Sequence, residues 1–257
     1  MGALHEGHSN LIRMINESTD VSVVSVFVNP TQFGPGEDLA TYPRDQAADV
    51  DVCVAEGVDY LFLPEAEEIY APGASTFVNV EGLSDRLEGA SRPGHFQGVA
   101  TVVTKLLNII EPHVVAFGQK DAQQVAVIRR VVTDLALEVE VQVVPTTRED
   151  DGVALSSRNR FLSEEERGAA AAIPRALETA QRRVDEGESK AEKIVEAART
   201  VIDSEPLLRI DYLELVDRNT FVPVDALTKE ALIVVAVHCG TTRLLDNALL
   251  SPTAGEA

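Results

Sequence analysis

The sequence predicts an α/β fold: a parallel sheet with helices on both faces, followed by a smaller C-terminal α+β domain. Three observations predict it. Short apolar, β-branched runs alternate with helical patterns up to about residue 145. These runs are apolar throughout, as in strands that are buried on both faces. The pattern then changes near residue 150, where alanine-rich, acidic helices begin, so we predict two domains, 1–150 and 151–257.

The elements of the first domain follow from the period of the apolar residues. The predicted strands are VSVVSVFV (21–28), VDYLFLP (58–64), HVVAFG (113–118) and VEVQVVP (139–145). The predicted helices follow His8, span Asp45 to about Glu56, run from Phe96 to Ile110 and cover Val125 to Leu135. Ligands of open α/β sheets bind at the carboxyl ends of the strands. The polar loops 29–45, 118–124 and 146–160 all follow strand ends and are therefore candidate binding segments.

The second domain begins with a helix whose start is marked by a capping box, Ser163 with Glu166. Pro174 falls inside the helical pattern, so we expect a break or a kink there. Acidic, alanine-rich helices run to about Ile202. Three strand-like segments follow: IDYLELV (210–216), ALIVVAV (231–237) and TTRLLDN (241–247).

Charge and cysteine content exclude several classes of partner. The formal net charge is −20, from 22 basic and 42 acidic residues. Such a field repels nucleic-acid backbones and anionic membranes, although it also fits simple solubility or adaptation to salt. The two cysteines lie in apolar runs outside any CxxC pattern, which favours buried thiols in a reducing compartment. Without a signal pattern or an apolar run near about 20 residues, we predict a cytoplasmic protein that binds neither nucleic acid nor membrane.

The opening stretch MGALHEGH is the first candidate site. His5 and His8 are three residues apart and share one face of a helix that begins there. Gly7 between them lets a ligand approach the backbone, and the helix start directs N–H groups at an anion. We expect a phosphate site in which both histidines bind and neutralise the anion. The alternatives are two surface histidines at a frayed terminus, or a metal pair, for which no third ligand has a suitable spacing.

The segment FGQKDAQQ (117–124) is the second candidate. Lys120 is a cation at a strand end beside a helix start, which suits phosphate. Asp121 is expected to accept from a ribose hydroxyl, and Gln124 lies one turn further on. A solvated turn is the alternative interpretation.

Two further loops are donor-rich. REDDGVALSSRN (148–159) carries Ser156, Ser157 and Arg158, which suit a developing pyrophosphate, although an interdomain linker fits as well. FVNPTQF (27–33) places Asn29 and Gln32 just past a strand, where uncharged amides suit a small hydroxy acid. Ordinary turn chemistry is the alternative there.

Together these loops suggest an enzyme that opens ATP at the α-phosphate, a reaction that depends on donors and cations more than on covalent help. The sequence contains neither GxGxxG nor a Walker loop. His95, His113 and His238 are predicted to be structural or surface residues.

The segments MGALHEGH, FVNPTQF, YPRD, FGQKDAQQ, LSSRNRFL and GTTRLLDN, in this order, resemble the pantothenate synthetase (pantoate–β-alanine ligase) family. That family belongs to the HxGH nucleotidyltransferases and has a Rossmann-like fold. The resemblance implies condensation of pantoate with β-alanine through a pantoyl adenylate, which releases AMP and pyrophosphate. It also implies ATP with Mg²⁺, no other metal site in the protein, and a homodimer.

The resemblance also implies roles for individual residues. His8, with His5, would contact the phosphates, and His8 would be the proton donor. The remaining catalytic group would be Lys120, Ser156, Ser157 and Arg158. ATP would be bound by Met1, Gly2, Ala3, Leu4, His5, Glu6, Gly7, His8, Gly118, Gln119, Lys120, Asp121, Thr147, Leu155, Ser156, Ser157 and Arg158. Pantoate and β-alanine would be bound by Gln32, Gln124, Asn29 and Tyr42. Residues 1–150 would bind ATP and pantoate, and 151–257 would act as a lid.

The sequence departs from the family in three places. Ala122 and Thr147 stand where the family often has an aromatic residue and valine, and we expect both to be tolerated because backbone contacts dominate there. The family also has about thirty residues ahead of this start, including a central strand of the sheet. We therefore expect an N-terminally shortened chain with two unpaired strand edges. A truncated, non-catalytic nucleotide-binding remnant is the alternative function. A nucleotide transferase acting on an acceptor such as tRNA is disfavoured by the net charge of −20.

Overall fold

The computed structural model describes residues 2–252 and divides the chain into two compact units, Met1–Pro145 and Thr146–Ala257. The binding role predicted for residues 1–150 and the lid role predicted for 151–257 remain predictions. Among residues 2–252, no helix combines the length and the apolar character that a membrane crossing requires.

The first unit alternates strands with helices, as the sequence predicts. Its strands are β1 (Val23–Ser25), β2 (Tyr60–Phe62), β3 (Val114–Gly118) and β4 (Glu140–Val144). Its helices are α1 (Glu6–Ser18), α2 (Gln46–Ala55), α3 (Ala66–Ile69), α4 (Glu88–Ser91), α5 (His95–Ile110) and α6 (Ala122–Asp134). Short 3-10 turns lie at Pro30–Gln32, Asp38–Ala40, Leu83–Asp85 and Gln119–Asp121. The predicted α/β class is confirmed.

The four strands form two parallel pairs. β1 pairs with β2, with Val23 opposite Tyr60, and β3 pairs with β4, with Val114 opposite Glu140. Within residues 2–252 no ladder joins the two pairs. β1 covers three residues of the predicted run 21–28, because ladder pairing and not apolar content sets the length of a strand.

The helices pack their apolar stripes against these strands. Ile12 of α1, Val24 of β1 and Cys53 of α2 form one buried cluster, against which Leu4 and Val26 pack. Asp45 caps α2 by accepting from the N–H of Ala48, which explains why the predicted start of this helix is correct. This packing holds the loop before α1 against the body of the unit.

The second unit is a helical layer on an antiparallel sheet. Its helices are α7 (Glu164–Ala170), α8 (Ala172–Asp185) and α9 (Ala191–Asp203), and its strands are β5 (Leu208–Asp217), β6 (Ala231–Cys239) and β7 (Thr242–Leu250). The strand order is β5-β6-β7, so β6 is central and almost wholly buried. The capping box at Ser163 is confirmed. The break expected near Pro174 is also confirmed: it falls at Ala171, and the proline occupies the first turn of α8, where its missing N–H costs nothing.

Candidate functional site

The histidine loop leads directly into α1. His5 is the N-cap residue of this helix, and its Nδ1 accepts from the N–H of Gly7 at 3.2 Å. The N–H of His5 in turn donates to Nδ1 of His8 at 3.2 Å, which completes a reciprocal capping box. The two imidazole rings lie 4.1 Å apart between centroids. The predicted pairing of both histidines at a helix start is thus present, and each ring is fixed by a backbone contact.

The protonation of this pair follows from its burial. Burial, then the neighbouring His5, lowers the pKa of His8 to about 3. Burial, then the charge of Lys120, lowers the pKa of His5 as well. Because Nδ1 of each ring accepts a hydrogen bond, the neutral ring carries its proton on Nε2. The histidines are therefore hydrogen-bond donors near pH 7, whereas the expectation that they neutralise a phosphate would require cationic rings.

These lowered pKa values predict acid sensitivity of the fold. In the unfolded chain His8 titrates near 6.5 and in the folded chain near 3, so the unfolded state binds more protons between these values. The stabilising contribution of the neutral ring is complete above pH 6.5 and is lost as the pH falls towards 3. We expect His8→Gln to reduce the loss of unfolding free energy between about pH 7 and about pH 4.5, as measured by urea unfolding.

The control for this prediction is His113→Gln, since His113 is an exposed histidine of the same unit. Its variant should keep the pH dependence of the wild type. An equal pH dependence in His8→Gln and in the wild type would show that His8 is not the group responsible.

The turn after β3 lies beside the histidine pair. Gly118 ends β3, and Gln119, Lys120 and Asp121 form a 3-10 turn that leads into α6. Nζ of Lys120 is 3.7 Å from a carboxylate oxygen of Asp121, and the lysine side chain is 19% exposed. The charges of Lys120 and Asp121 both act on the pKa of His5 and of His8. The structure thus brings the first and second predicted clusters together.

Asn29 is the centre of the turn that carries Gln32. It is 2% exposed, and its amide nitrogen donates to Oε1 of Gln32 and to the carbonyl of Gly98, both at 3.1 Å. Its amide oxygen accepts from the Tyr70 hydroxyl at 2.8 Å and from the Thr31 hydroxyl at 2.9 Å. The direction of the Asn29 amide is therefore fixed from both ends. The amide oxygen of Gln32 therefore accepts from Asn29, so Gln32 presents its NH₂ group to a ligand as a hydrogen-bond donor.

A second set of contacts holds the backbone of this turn. Arg92 makes a bidentate ion pair with Glu37, at 2.9 and 2.6 Å. Nδ1 of His95 lies 2.9 Å from the carbonyl oxygen of Gln32. The hydrogen bonds that Arg92 donates to Glu37 are the main reason why the pKa of the Glu37 carboxyl is lowered. His95 was predicted to be structural or a surface residue, and the structure gives it the structural role.

The other predicted pocket residues, Tyr42 and Gln124, lie on two separate segments of the first unit. Tyr42 packs edge-on against Phe33, with ring centroids 5.6 Å apart. Gln124 lies in the first turn of α6, three residues beyond Asp121. Of the opening residues, Gly2, Ala3 and Leu4 precede the N-cap. Glu6 is exposed and pairs with Arg13, and Met1 lies outside the described residues.

The remaining predicted ATP residues belong to the second unit. Leu155 donates its N–H to the carbonyl of Thr147 at 2.9 Å, and Ser156 caps the 3-10 turn Ser157–Phe161 by accepting from the N–H of Arg158. Asn159 fixes the end of this segment, because its amide donates to Glu149 at 2.6 Å and to the carbonyl of Ala154 at 3.1 Å.

Arg167 reinforces the same segment from α7. Its guanidinium lies 2.8 Å from a carboxylate oxygen of Glu149 and 2.6 Å from one of Asp151.

Among residues 2–252, no group of three or more His, Cys, Asp or Glu side chains is arranged to hold a metal ion.

Sequence reasoning missed the residues that support the site. Asp49, Tyr70 and Arg92 contact loop residues that lie 39 or more positions away along the chain. Only RPGHFQG (92–98), with glycines before and within a helix start, carried a signal that a close approach was required there.

Comparison with known proteins gives matches over nearly the whole chain. The family model described as pantoate-beta-alanine ligase matches residues 1–249. The chain is 52% identical to the pantothenate synthetase of Acidobacterium capsulatum, over 98% of the chain and 85% of that protein. It is 51% identical to the pantothenate synthetase of Chlorobium phaeovibrioides, over 100% of the chain and 89% of that protein.

Solved structures match as well. The pantothenate synthetase of Thermus thermophilus superposes with a TM-score of 0.95 at 45% identity, covering 98% of the chain and 91% of that structure. A pantoate-beta-alanine ligase from Francisella tularensis, complexed with beta-gamma ATP and beta-alanine, gives a TM-score of 0.79 at 34% identity. That match covers 97% of the chain and 87% of the other structure.

Proposed function

Because the chain belongs to the pantoate–β-alanine ligase family, we propose that it condenses pantoate with β-alanine at the expense of ATP. The observation that carries this proposal is the grouping of His5, His8, Lys120 and Asp121 where β3 ends and α1 begins. Helix N–H groups, two imidazole donors and one cation suit a triphosphate. The Francisella tularensis relative was solved with an ATP compound and β-alanine, which supports the same pair of substrates here.

The proposed reaction has two steps. A carboxylate oxygen of pantoate attacks the α-phosphorus of ATP, and the bond to the leaving pyrophosphate breaks, which yields pantoyl adenylate. The amine of β-alanine then attacks the acyl carbon of this adenylate. The bond to AMP breaks, the nitrogen loses a proton, and pantothenate is formed. Both steps depend on positioning and on stabilisation of charge rather than on a covalent bond to the protein.

In the first step the residues of the histidine loop act on the phosphates. The Nε2–H groups of His5 and His8 donate to phosphate oxygens, and Lys120 supplies the positive charge that offsets the leaving pyrophosphate. The structure favours hydrogen-bond donation by neutral His8 because its pKa is about 3. A dianionic or trianionic phosphate at this position raises the pKa of the ring, and this is the route by which His8 would become the predicted proton donor. Asp121 accepts from the ribose.

Pantoate is proposed to bind against Gln32 and Gln124. Gln32 meets it as a donor, because Asn29 already holds its amide oxygen. The carboxylate and the two hydroxyls of pantoate offer the hydrogen-bond acceptors that the NH₂ group of Gln32 requires. Tyr42 and Asn29 complete the pocket by shape and by fixing Gln32, and Gln32 also lies close to the incoming β-alanine.

Several finer features stay proposals that rest on the family resemblance. The segment 155–158 with Thr147 binds phosphate oxygens, and the second unit keeps water from the adenylate. Mg²⁺ enters on the triphosphate as part of the substrate, since phosphate oxygens are ligands that it prefers. The protein is a cytoplasmic homodimer, in the compartment where ATP is available.

A non-catalytic remnant is not favoured. Relatives named pantothenate synthetase match 98–100% of the chain at 51–52% identity. The candidate groups His5, His8, Lys120, Ser156, Ser157 and Arg158 are all present. Transfer of a nucleotide to tRNA has no support in a chain of net charge −20.

The test is to follow pyrophosphate and AMP released from Mg–ATP, with pantoate present and β-alanine either added or omitted. We expect pyrophosphate to form without β-alanine, up to about one equivalent per site, and AMP to appear only when β-alanine is added. Release of neither product would contradict the proposed ligase activity. Release of ADP would indicate attack at the γ-phosphorus instead.

Gln124→Ala is expected to raise the KM of pantoate about tenfold or more, because a hydrogen bond to a charged group is worth about 1.5–3 kcal/mol. The KM of ATP should stay within about twofold, because Gln124 lies beyond the phosphate-binding turn. Steady-state kinetics with each substrate varied in turn measures both values.

Gln97→Ala is the matched control for Gln124→Ala. It removes an exposed glutamine of α5 and should leave both KM values unchanged. Equal increases in the KM of pantoate and of ATP in Gln124→Ala would contradict the proposed pantoate pocket.

A further inference from the structure

Asp49 is a buried carboxylate that the proposed chemistry does not use. It lies on α2 and is 3% exposed. A buried carboxylate is costly unless hydrogen bonds replace the lost water. Each of its two oxygens accepts from a different backbone group. Oδ1 accepts from the N–H of Leu4 at 2.6 Å, and Oδ2 accepts from the N–H of Ala3 at 3.2 Å. A single side chain thus accepts hydrogen bonds from two successive backbone N–H groups that lie 45 and 46 residues away along the chain.

The backbone that Asp49 holds at Ala3 and Leu4 is in an unfavourable conformation at Ala3. Ala3 has φ = +51°, in the left-handed region that a residue with a Cβ seldom adopts. Such a residue costs about 1–2 kcal/mol and persists where surrounding contacts enforce it. The carboxylate of Asp49 supplies contacts of this kind, on the N–H of Ala3 itself and on the next one.

The backbone bound by Asp49 directly precedes the two histidines. Leu4 is followed directly by His5, whose N–H donates to Nδ1 of His8 and whose Nδ1 accepts from Gly7. A rotation of the peptide groups at Ala3 and Leu4 therefore changes the direction of the N–H that orients His8. The side chain of Leu4 packs on the cluster of Ile12, Val24 and Cys53, so α2 holds this loop by packing as well as by hydrogen bonds.

We propose that Asp49 is a positioning residue for the reaction: by holding the N–H groups of Ala3 and Leu4, it sets the placement of His5 and His8 at the phosphates of ATP. This inference rests on the proposed function, because it assigns the two histidines to ATP. Asp49 itself touches neither substrate nor reacting atoms in this assignment. Its contribution is to reduce the freedom of the histidine loop before ATP arrives.

The experiment uses Asp49→Asn, which keeps the shape of the side chain and replaces one acceptor oxygen by an NH₂ group that faces a backbone N–H. We expect the kcat of pyrophosphate release to fall about tenfold or more, because His5 and His8 lose their placement. The KM of pantoate should remain within about twofold, since the Gln32 turn is held by other residues.

A second measurement reads the histidine pair directly. NMR of ¹⁵N-labelled imidazole should show His8 uncharged at about pH 6 in the wild type, because its pKa is about 3. In Asp49→Asn the histidine loop loses its fixed position and His8 becomes less buried, so its pKa moves towards 6.5 and the ring becomes partly protonated at that pH. Asp51→Asn is the matched control: Asp51 is exposed on the same helix, and its variant should behave as the wild type in both measurements.

A folded Asp49→Asn protein whose His8 remains uncharged like that of the wild type would overturn the proposal, whatever its activity. If the wild type releases no pyrophosphate, the proposed function fails while the NMR measurement still tests the hydrogen bonds to Asp49. Should Asp49→Asn fail to fold, hydrogen exchange on the wild type decides the question. Slow exchange of the Leu4 amide supports the hydrogen bonds to Asp49, and exchange at the rate of an unprotected amide overturns the proposal.

Discussion

Replacing Lys120 with alanine is expected to lower the rate of pantoate-dependent pyrophosphate release by about 10²–10³-fold, the usual effect of removing one group that stabilises developing charge. Lys120 lies in the 3-10 turn after β3, and its side chain is 19% exposed, so its charge acts where water screens it little. Single-turnover measurement with Mg–ATP and pantoate, without β-alanine, isolates this step. The thermal midpoint should change little, because the other contacts of the turn remain.

Lys190→Ala is the control for this prediction, because it removes the same charge from an exposed position of the second unit. It should release pyrophosphate at the rate of the wild type. Near-normal release by Lys120→Ala would show that Lys120 does not stabilise the leaving group. A loss of rate that high ATP concentrations restore would assign Lys120 to ATP binding alone.

Local patterns were sufficient to predict the strands and the long helices of this fold, but not the four-residue helices α3 and α4. Residues 96–110 were predicted as a helix and α5 spans His95–Ile110, since its apolar stripe and its length are both encoded in consecutive residues. The start of α2 was equally predictable, because its cap Asp45 lies next to it in sequence. The pairing of β1 with β2 and of β3 with β4 could not be predicted from local patterns, since strand order depends on partners distant along the chain.

The candidate site likewise contains some residues that the sequence could predict and others that it could not. His5 and His8 could be proposed from the sequence because they are three residues apart at a helix start, and Lys120 because it lies at a strand end. Asp49 and Tyr70 could not be, because their significance lies in hydrogen bonds to residues distant along the chain. Asp49 accepts from the N–H groups of Ala3 and Leu4, 46 and 45 residues away, and Tyr70 donates to Asn29, 41 residues away. The charge of the histidines was also beyond the sequence, since it depends on burial.

Gly98→Ala is expected to raise the KM of pantoate about tenfold or more and to lower the free energy of unfolding by about 1–3 kcal/mol. Gly98 lies in the first turns of α5, and a Cβ added there would sit 2.5 Å from the carbonyl oxygen of Thr31 and 2.7 Å from Cα of Gln32. Both are backbone atoms, so the turn that carries Gln32 must move. The carbonyl of Gly98 also accepts from Asn29, and this contact orients the Gln32 amide.

Gly168→Ala separates this effect from the general consequence of placing alanine in a helix. Gly168 lies within α7, and a Cβ added there meets nothing within 4 Å, so the change should stabilise the protein slightly and leave the KM of pantoate unchanged. Steady-state kinetics and urea unfolding at one temperature measure both effects. Because the contact of Gly98 is with the Gln32 turn and not with the histidine loop, the KM of ATP in Gly98→Ala should stay within about twofold. A KM of pantoate equal to that of the wild type would mean that the position of Gln32 does not determine pantoate binding.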